Sequence, residues 1–236
     1  LSASGAIVIV GGSLSGSGNI IGNVTNQSQV NPGTTPGAII ITGNYTQTAN
    51  GALNIEVGGL AAGTQFDVLN VSGTATLDGT LNVSLINSFN PAVGNMFPFM
   101  SFASSSGAFT TTNGLNIGGG KAFQLNTAST SLTLETVTAA ASLSANHTSI
   151  DFGAVTVGSM VSQSTTVSNT GNASATITAA NVTGTGFSIN PPLSLPLTLS
   201  PGQSTNVTVQ FAPGAAGVVS GNLTLISDAT NSPTIV

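Results

Sequence analysis

The sequence predicts an all-β chain, a parallel β-solenoid with a Phe-rich cap followed by a β-sandwich, and three observations lead there. Short segments alternate apolar and polar residues with period two, among them Leu53-Asn54-Ile55-Glu56-Val57, Leu69-Asn70-Val71 and Leu81-Asn82-Val83-Ser84-Leu85. That is the pattern of strands with one face buried. The i, i+3, i+4 spacing of an amphipathic helix is missing from these stretches. Gly and Asn corners fall close together as far as Leu85 and spread out beyond Ala139, a change from short stacked strands to the longer strands of a sandwich.

Charge is nearly absent. One Lys (Lys121), no Arg and six acidic residues in 236 amount to 3% charged residues, against roughly a quarter in an average soluble domain. Nucleic acid is excluded as a partner, because affinity for phosphates needs clustered Lys and Arg. No apolar run approaches the roughly 20 residues of a spanning helix, so no membrane insertion is expected in this segment. The hydrophobic fraction of 40% and the mean hydropathy of +0.39 supply enough apolar surface for a core. Without Cys, stability rests on packing and backbone ladders. No basic leader with a small-residue cleavage site opens the chain, which reads as a piece of a longer protein.

Residues 1–86 are expected to form the solenoid segment. It opens with Ala6-Ile7-Val8-Ile9-Val10, apolar at every position, and continues through the corners Gly22-Asn23, Asn31-Pro32-Gly33, Pro36-Gly37 and Gly43-Asn44. Strands so closely spaced bury one side each by coiling into stacked rungs. Residues 87–138 carry Phe89, Phe97, Phe99, Phe102, Phe109 and Phe123 and are expected to cap the open solenoid end, which otherwise exposes apolar faces and unpaired backbone. Residues 139–146 are read as a linker. Residues 147–236 are read as the sandwich, with strands over 149–152, 163–169, 174–180, 186–189, 205–211 and 221–226.

Two resemblances add to this reading. The run from Gly22 to Leu85, with Val30-Asn31-Pro32-Gly33, Thr42-Gly43-Asn44-Tyr45-Thr46-Gln47, Phe66-Asp67-Val68-Leu69-Asn70-Val71-Ser72-Gly73 and Leu77-Asp78-Gly79-Thr80-Leu81, resembles the repeat region of autotransporter-passenger β-helices. The second half, with Ile150-Asp151-Phe152-Gly153, Asn169-Thr170-Gly171, Leu199-Ser200-Pro201-Gly202, Val209-Gln210-Phe211-Ala212-Pro213 and Gly221-Asn222-Leu223-Thr224-Leu225, resembles the Hydin-like immunoglobulin-like domains of the ASH and major-sperm-protein group found in bacterial surface proteins. The first implies architecture and surface exposure. The second implies an Ig-like sandwich whose last strand is only beginning at Ile235-Val236.

No residue set for catalysis, cofactor or metal stands out. Glu56, Asp67, Asp78, Glu135, Asp151 and Asp228 fall on different segments, whereas glycosidic chemistry needs paired carboxylates. Asp78-Gly79 reads as a turn, and Asp67, on the side of Leu69 and Val71, as a hydrogen-bonded corner. His147 lies near Asp151, Ser142, Ser144 and Ser149 only through chain adjacency, with no nucleophile elbow. Gly118-Gly119-Gly120-Lys121 lacks Walker spacing and reads as a turn. A lone His without Cys makes no zinc set. Thr74-Ala75-Thr76 and Thr110-Thr111-Thr112 raise a threonine ladder of the kind that holds ice, but the pair is not repeated at the same place on successive rungs, so outward β-branched filling is expected.

Ten sequons begin at Asn23, Asn26, Asn44, Asn70, Asn82, Asn146, Asn172, Asn181, Asn206 and Asn222 and are candidate glycosylation positions. The function expected is that of a non-catalytic structural protein at the cell surface or outside the cell, a segment or subunit of a fibre, filament or matrix. Two readings of the apolar first segment and the incomplete sandwich stand side by side: in a longer chain a preceding rung covers Ile7 and Ile9 and a following segment completes the sandwich, or the chain self-associates into a polymer through donor-strand complementation by Ala6, Ile7, Val8, Ile9 and Val10. The competing expectation is a carbohydrate-binding adhesin module.

Overall fold

The computed structural model describes residues 6–236, apart from the side chain of Ile235. The chain divides into two units, one running to Thr138 and the other from Ala139 to Val236. No helix occurs among the described residues.

In the first unit strands come in threes. The first three are β1 (Ile7–Ile9), β2 (Ser13–Gly16) and β3 (Gly18–Ile21); then β4 (Val24–Asn26), β5 (Gln29–Pro32) and β6 (Ala38–Thr42). Next come β7 (Tyr45–Gln47), β8 (Ala52–Val57) and β9 (Val68–Val71), followed by β10 (Thr74–Leu77), β11 (Thr80–Leu85) and β12 (Met96–Ser101). A last pair, β13 (Ser104–Gly107) and β14 (Thr111–Asn113), precedes β15 (Asn116–Gly118), β16 (Lys121–Thr127) and β17 (Ser131–Thr138). Every third strand joins the same sheet. Sheet one is β1-β4-β7-β10-β13, sheet two is β2-β5-β8-β11-β14, and sheet three is β3-β6-β9-β12 continued by β17-β16-β15. Pairing is parallel throughout sheets one and two and from β3 to β12.

The register stacks like on like. Leu14, Val30, Leu53 and Leu81 face inward in one column of sheet two, and Ile20, Ile41 and Val71 in one of sheet three. Inward side chains of all three sheets share one core, each large apolar residue contributing about 1.5–3 kcal/mol on burial. The corners are glycine-dependent where strands crowd. At Gly79 φ is +66° and a Cβ would lie 2.4 Å from the Gly51 carbonyl oxygen, while Asp78 Oδ1 accepts the Gly79 N–H at 2.7 Å.

The Phe-rich stretch departs from the expected boundary. Its first half continues the parallel sheets through β12, β13 and β14, and antiparallel pairing begins only with the β15–β17 segment. Phe97 sits at the centre of the aromatic packing, edge-on to Phe66, Phe89 and Phe123 at 5.4, 6.2 and 5.6 Å, an arrangement favoured by the ring quadrupoles. A bulge between Pro98 and Met100 breaks the alternation, so that Phe99 and Met100 are both buried. Pro98, which has no N–H to donate, sits beside that irregularity.

The second unit is an antiparallel sandwich. Its strands are β18 (Leu143–Ala145), β19 (Val161–Asn169), β20 (Ala175–Val182), β21 (Phe187–Ile189), β22 (Leu197–Leu199), β23 (Ser204–Phe211), β24 (Leu223–Ser227) and β25 (Thr234–Ile235). One sheet runs β18-β19-β23-β21 and the other β22-β20-β24-β25, around a separate core that includes Leu143, Val167, Ile177, Val207 and Leu225. Two expectations change. The stretch read as a linker, 139–146, contains β18, because Ala141 and Leu143 are core residues. The strand expected over 149–152 does not form: Asp151 Oδ1 accepts the Gly153 N–H at 2.8 Å and turns the chain, leaving Ile150 and Phe152 to pack as half-buried side chains. The position beside β24 is taken by the two-residue β25.

Candidate functional site

Polar side chains in the first unit follow the strand register, inside and outside. Inside, Asn26 of β4 and Gln47 of β7 are register partners, both with essentially no exposure, beside the buried Tyr45. The Tyr45 hydroxyl donates to Gln47 Oε1 at 2.7 Å. Asn26 Nδ2 donates to the Tyr45 hydroxyl, Gln47 Oε1 and the Ala52 carbonyl, and its Oδ1 accepts the Ser28 N–H. Gln47 Nε2 reaches the carbonyls of Gly51, Asp78 and Thr80, so one amide serves corner backbone from two successive triplets of strands. Burial pushes the Tyr45 hydroxyl's pKa well up, against the smaller opposing pull of its bond from Asn26. Asp67, 2% exposed, accepts the Gly37 and Glu56 N–H groups, each at 2.8 Å. Its burial outweighs those bonds and raises its pKa from 3.8 to about 6, with the Glu56 charge adding to the rise.

Outside, sheet two carries a continuous amide ladder. Asn113 donates to Asn82 and Asn82 to Asn54, each at 2.8 Å. Asn54 donates to Asn31, and Asn31 to the Ser15 hydroxyl at 3.2 Å. All five strands are tied in one direction, and such chains polarise cooperatively. On sheet one the outward residues form two rows. Asn23, Asn44, Thr74 and Ser104 make one row; Val8, Thr25, Thr46, Thr76 and Ser106 make the other. Asn23 Oδ1 accepts the Asn44 N–H and Asn44 Oδ1 the Thr74 N–H, both at 2.9 Å. One row thus sets Thr25, Thr46 and Thr76 in register, although the Thr-X-Thr pair of Thr74 and Thr76 is not repeated on the other strands of the sheet, and Thr111 and Thr112 fall on β14 of sheet two. The row's members are unevenly separated along the chain because the excursions at 58–67 and 86–95 lengthen some triplets and not others.

Lys121, Glu135, Asp228 and Asp151 take structural places. Lys121 closes the turn of three positive-φ glycines, Gly118, Gly119 and Gly120, and donates through Nζ to Asn90 Oδ1 and the Pro91 carbonyl. Glu135 accepts from Asn126 at 2.8 Å, and Asp228 accepts the Thr176 N–H at 2.7 Å. Asp151 is turned to Gly153 rather than to the exposed His147. Among the described residues no three His, Cys, Asp or Glu side chains stand together as a metal set.

The sequons divide by environment. Asn26 is not a glycosylation position in the folded chain, because it is buried and its Nδ2 is spent on three acceptors. Asn82 Nδ2 is spent in the amide ladder. Asn23, Asn44, Asn146, Asn181, Asn206 and Asn222 are exposed, and Asn70 and Asn172 half-buried.

The apolar segment Ala6 to Val10 forms β1 of its own sheet, paired in parallel with β4. Ile9 packs in the core, whereas Val8 and Val10 are 48% and 75% exposed; on its other side β1 has no partner among the described residues. In the second unit an apolar groove of about 770 Å³ is floored by Phe152, Phe187 and Phe211 and flanked by Val157, Val218 and Val219. The three rings lie 4.4–5.8 Å apart. Beside the sandwich's first edge, Asn231 copies a strand: its Oδ1 accepts the Leu143 N–H at 3.0 Å and its Nδ2 donates to the Leu143 carbonyl at 2.6 Å. Asn169, fully buried, donates to the carbonyls of Ala173 and Leu199.

Residues 141–236 match the family model described as HYDIN/CFA65/VesB-like, Ig-like domain. The match covers the strands of the second unit from β18 onward, and Ig-like character is thereby established for that unit. No curated protein matches the chain.

Proposed function

We propose that this chain is a non-catalytic structural segment of an extracellular surface fibre or matrix, with its first unit coiled as a parallel β-solenoid. The solenoid is supported by the return of every third strand to the same sheet around one shared core. The observation that carries the functional reading is the uncharged amide ladder across all five strands of sheet two. The amide row is uncharged, with Glu56 the one ionisable side chain on the strands of sheet two, so side-by-side packing meets little like-charge repulsion and little sensitivity to salt.

Polymerisation in this reading uses Ala6 to Val10. In this reading the side of β1 that has no partner among the described residues supplies an apolar strand in one copy, and the groove over Phe152, Phe187 and Phe211 in another copy receives it. Sedimentation velocity and electron microscopy of the full chain test the reading. Assemblies are expected to persist from about 0.01 to about 1 M salt, and Val8→Lys, which places a charge on the joining strand, is expected to shorten them. Monomers at every salt concentration, or assemblies that salt dissolves, contradict it. A sugar-binding adhesin draws less support, because sugar sites are commonly built on an aromatic platform with polar neighbours, whereas the chain has no Trp, its single Tyr is buried, and the half-buried rings Phe152 and Phe187 lie in a groove flanked by Val157, Val218 and Val219.

A further inference from the structure

The outward faces of the three parallel sheets differ in what their polar groups have left to offer. On sheet two the asparagine amides bond to one another along the ladder, and on sheet three Ser101 donates to Asn70 at 2.8 Å beside the exposed Ile21 and Ile40. Sheet one is the face with unspent groups in register. Among the described residues the hydroxyls of Thr25 and Thr46 have no protein partner, and the side-chain oxygens of Asn23 and Asn44 are held by backbone N–H groups while their Nδ2 atoms are not engaged. Thr74 and Ser104 hydroxyls lie 3.3 Å apart, and Ser106 donates to Thr76 at 3.5 Å, extending both rows.

We infer that the outward face of sheet one binds ice. Parallel pairing sets the separation of neighbours within a row at about 4.8 Å, and the two rows, two residues apart along each strand, lie about 6.6 Å from one another. A two-dimensional array of donors and acceptors at fixed intervals suits a ligand that is itself periodic and neutral. The face carries no ionisable side chain, and charged groups would organise liquid water around themselves instead. Each threonine adds a methyl group beside its hydroxyl, so the rows combine apolar contact with lattice-positioned hydrogen bonding, and Val8 continues the apolar part. The backbone bonds to Asn23 and Asn44 fix those side chains before any ligand arrives, which lowers the ordering cost of binding. A neutral polysaccharide is less suited to this face, because Tyr45, the only aromatic side chain on sheet one, points into the core.

The inference stands on the register of sheet one and not on the extracellular assembly proposed above. It is tested by partition of the full chain into slowly growing ice and by inhibition of ice recrystallisation. Comparison variants are Thr46→Tyr and Thr76→Tyr on sheet one and Ser84→Tyr on the exposed part of sheet two. Tyr keeps high strand propensity, and circular dichroism with thermal unfolding checks that each variant is folded; Thr76, being exposed, serves if the half-buried Thr46 does not tolerate the ring. The parent chain and Ser84→Tyr are expected to enter the ice, and the sheet-one variants to be excluded. Exclusion of the parent chain overturns the inference, as does equal entry of all variants. Binding to insoluble neutral polysaccharide that Thr46→Tyr abolishes, without ice partition, reassigns the face to sugar and overturns it equally.

Discussion

Gln47 is a side chain whose removal exposes the logic of the interior. Gln47→Ala strips the Gly51, Asp78 and Thr80 carbonyls of their side-chain donor and the Tyr45 hydroxyl of its acceptor. The Gly51 carbonyl keeps the Thr80 N–H, but each buried polar group left unsatisfied costs about 1–3 kcal/mol, so the first unit should lose about 3 kcal/mol. Urea unfolding followed by tyrosine fluorescence measures this cleanly, because Tyr45 is the sole Tyr and the chain has no Trp. Asp67 gives a pH signature. Its folded-state pKa, raised by burial to about 6 from 3.8, means that the folded chain holds this proton more tightly than the unfolded chain does. The stability it contributes is therefore full below about pH 4 and lost as pH rises through about 6. The urea midpoint of the first unit should fall across that window, and Asp67→Asn should remove the Asp67 part of the slope.

At the scale of the element, the amide ladder predicts side-chain coupling on the outward face between strands already joined by backbone pairing and core contacts. Asn54→Ala and Asn82→Ala should each destabilise by about 1 kcal/mol, and the double variant by less than their sum, since either change breaks the same bond. A double-mutant cycle in urea measures the difference. Asn231→Ala removes both bonds that cover the outer side of β18. An uncovered edge is a template for pairing with other chains, so light scattering on heating should rise earlier than in the parent. These elements were partly legible in the sequence. Period-two alternation marks β8 and β11 because each buries one face only. The segment 149–152 alternates just as well, yet Asp151 diverts it, and β18 is hidden because three short residues gain strand character from a distant partner, β19.

For the whole molecule, the expectation of β structure in two differently built halves came from corner spacing and alternation, which local sequence records directly. What it does not record is register across excursions of unequal length. Thr25, Thr46 and Thr76 look unrelated in the chain, and Asn26 and Gln47 look like surface polar residues until pairing brings them to one buried corner. Candidate sequons suffered in the same way: Asn26 reads as an acceptor of modification by its triplet and is a structural amide by its position.

Register in sheet one is thus the quantity on which the two outward rows and the proposed ice-binding face depend, and the chain's lack of cysteine allows it to be measured without background. Adjacent parallel strands place paired Cα atoms about 4.8 Å apart, within the range a disulfide spans. In the double variant Thr46→Cys with Thr76→Cys, mild oxidation should close an intramolecular disulfide, whereas Thr46→Cys with Ser106→Cys, two strands apart, should remain reduced. Equal closure in the two pairs, or closure only in the second, would contradict the account.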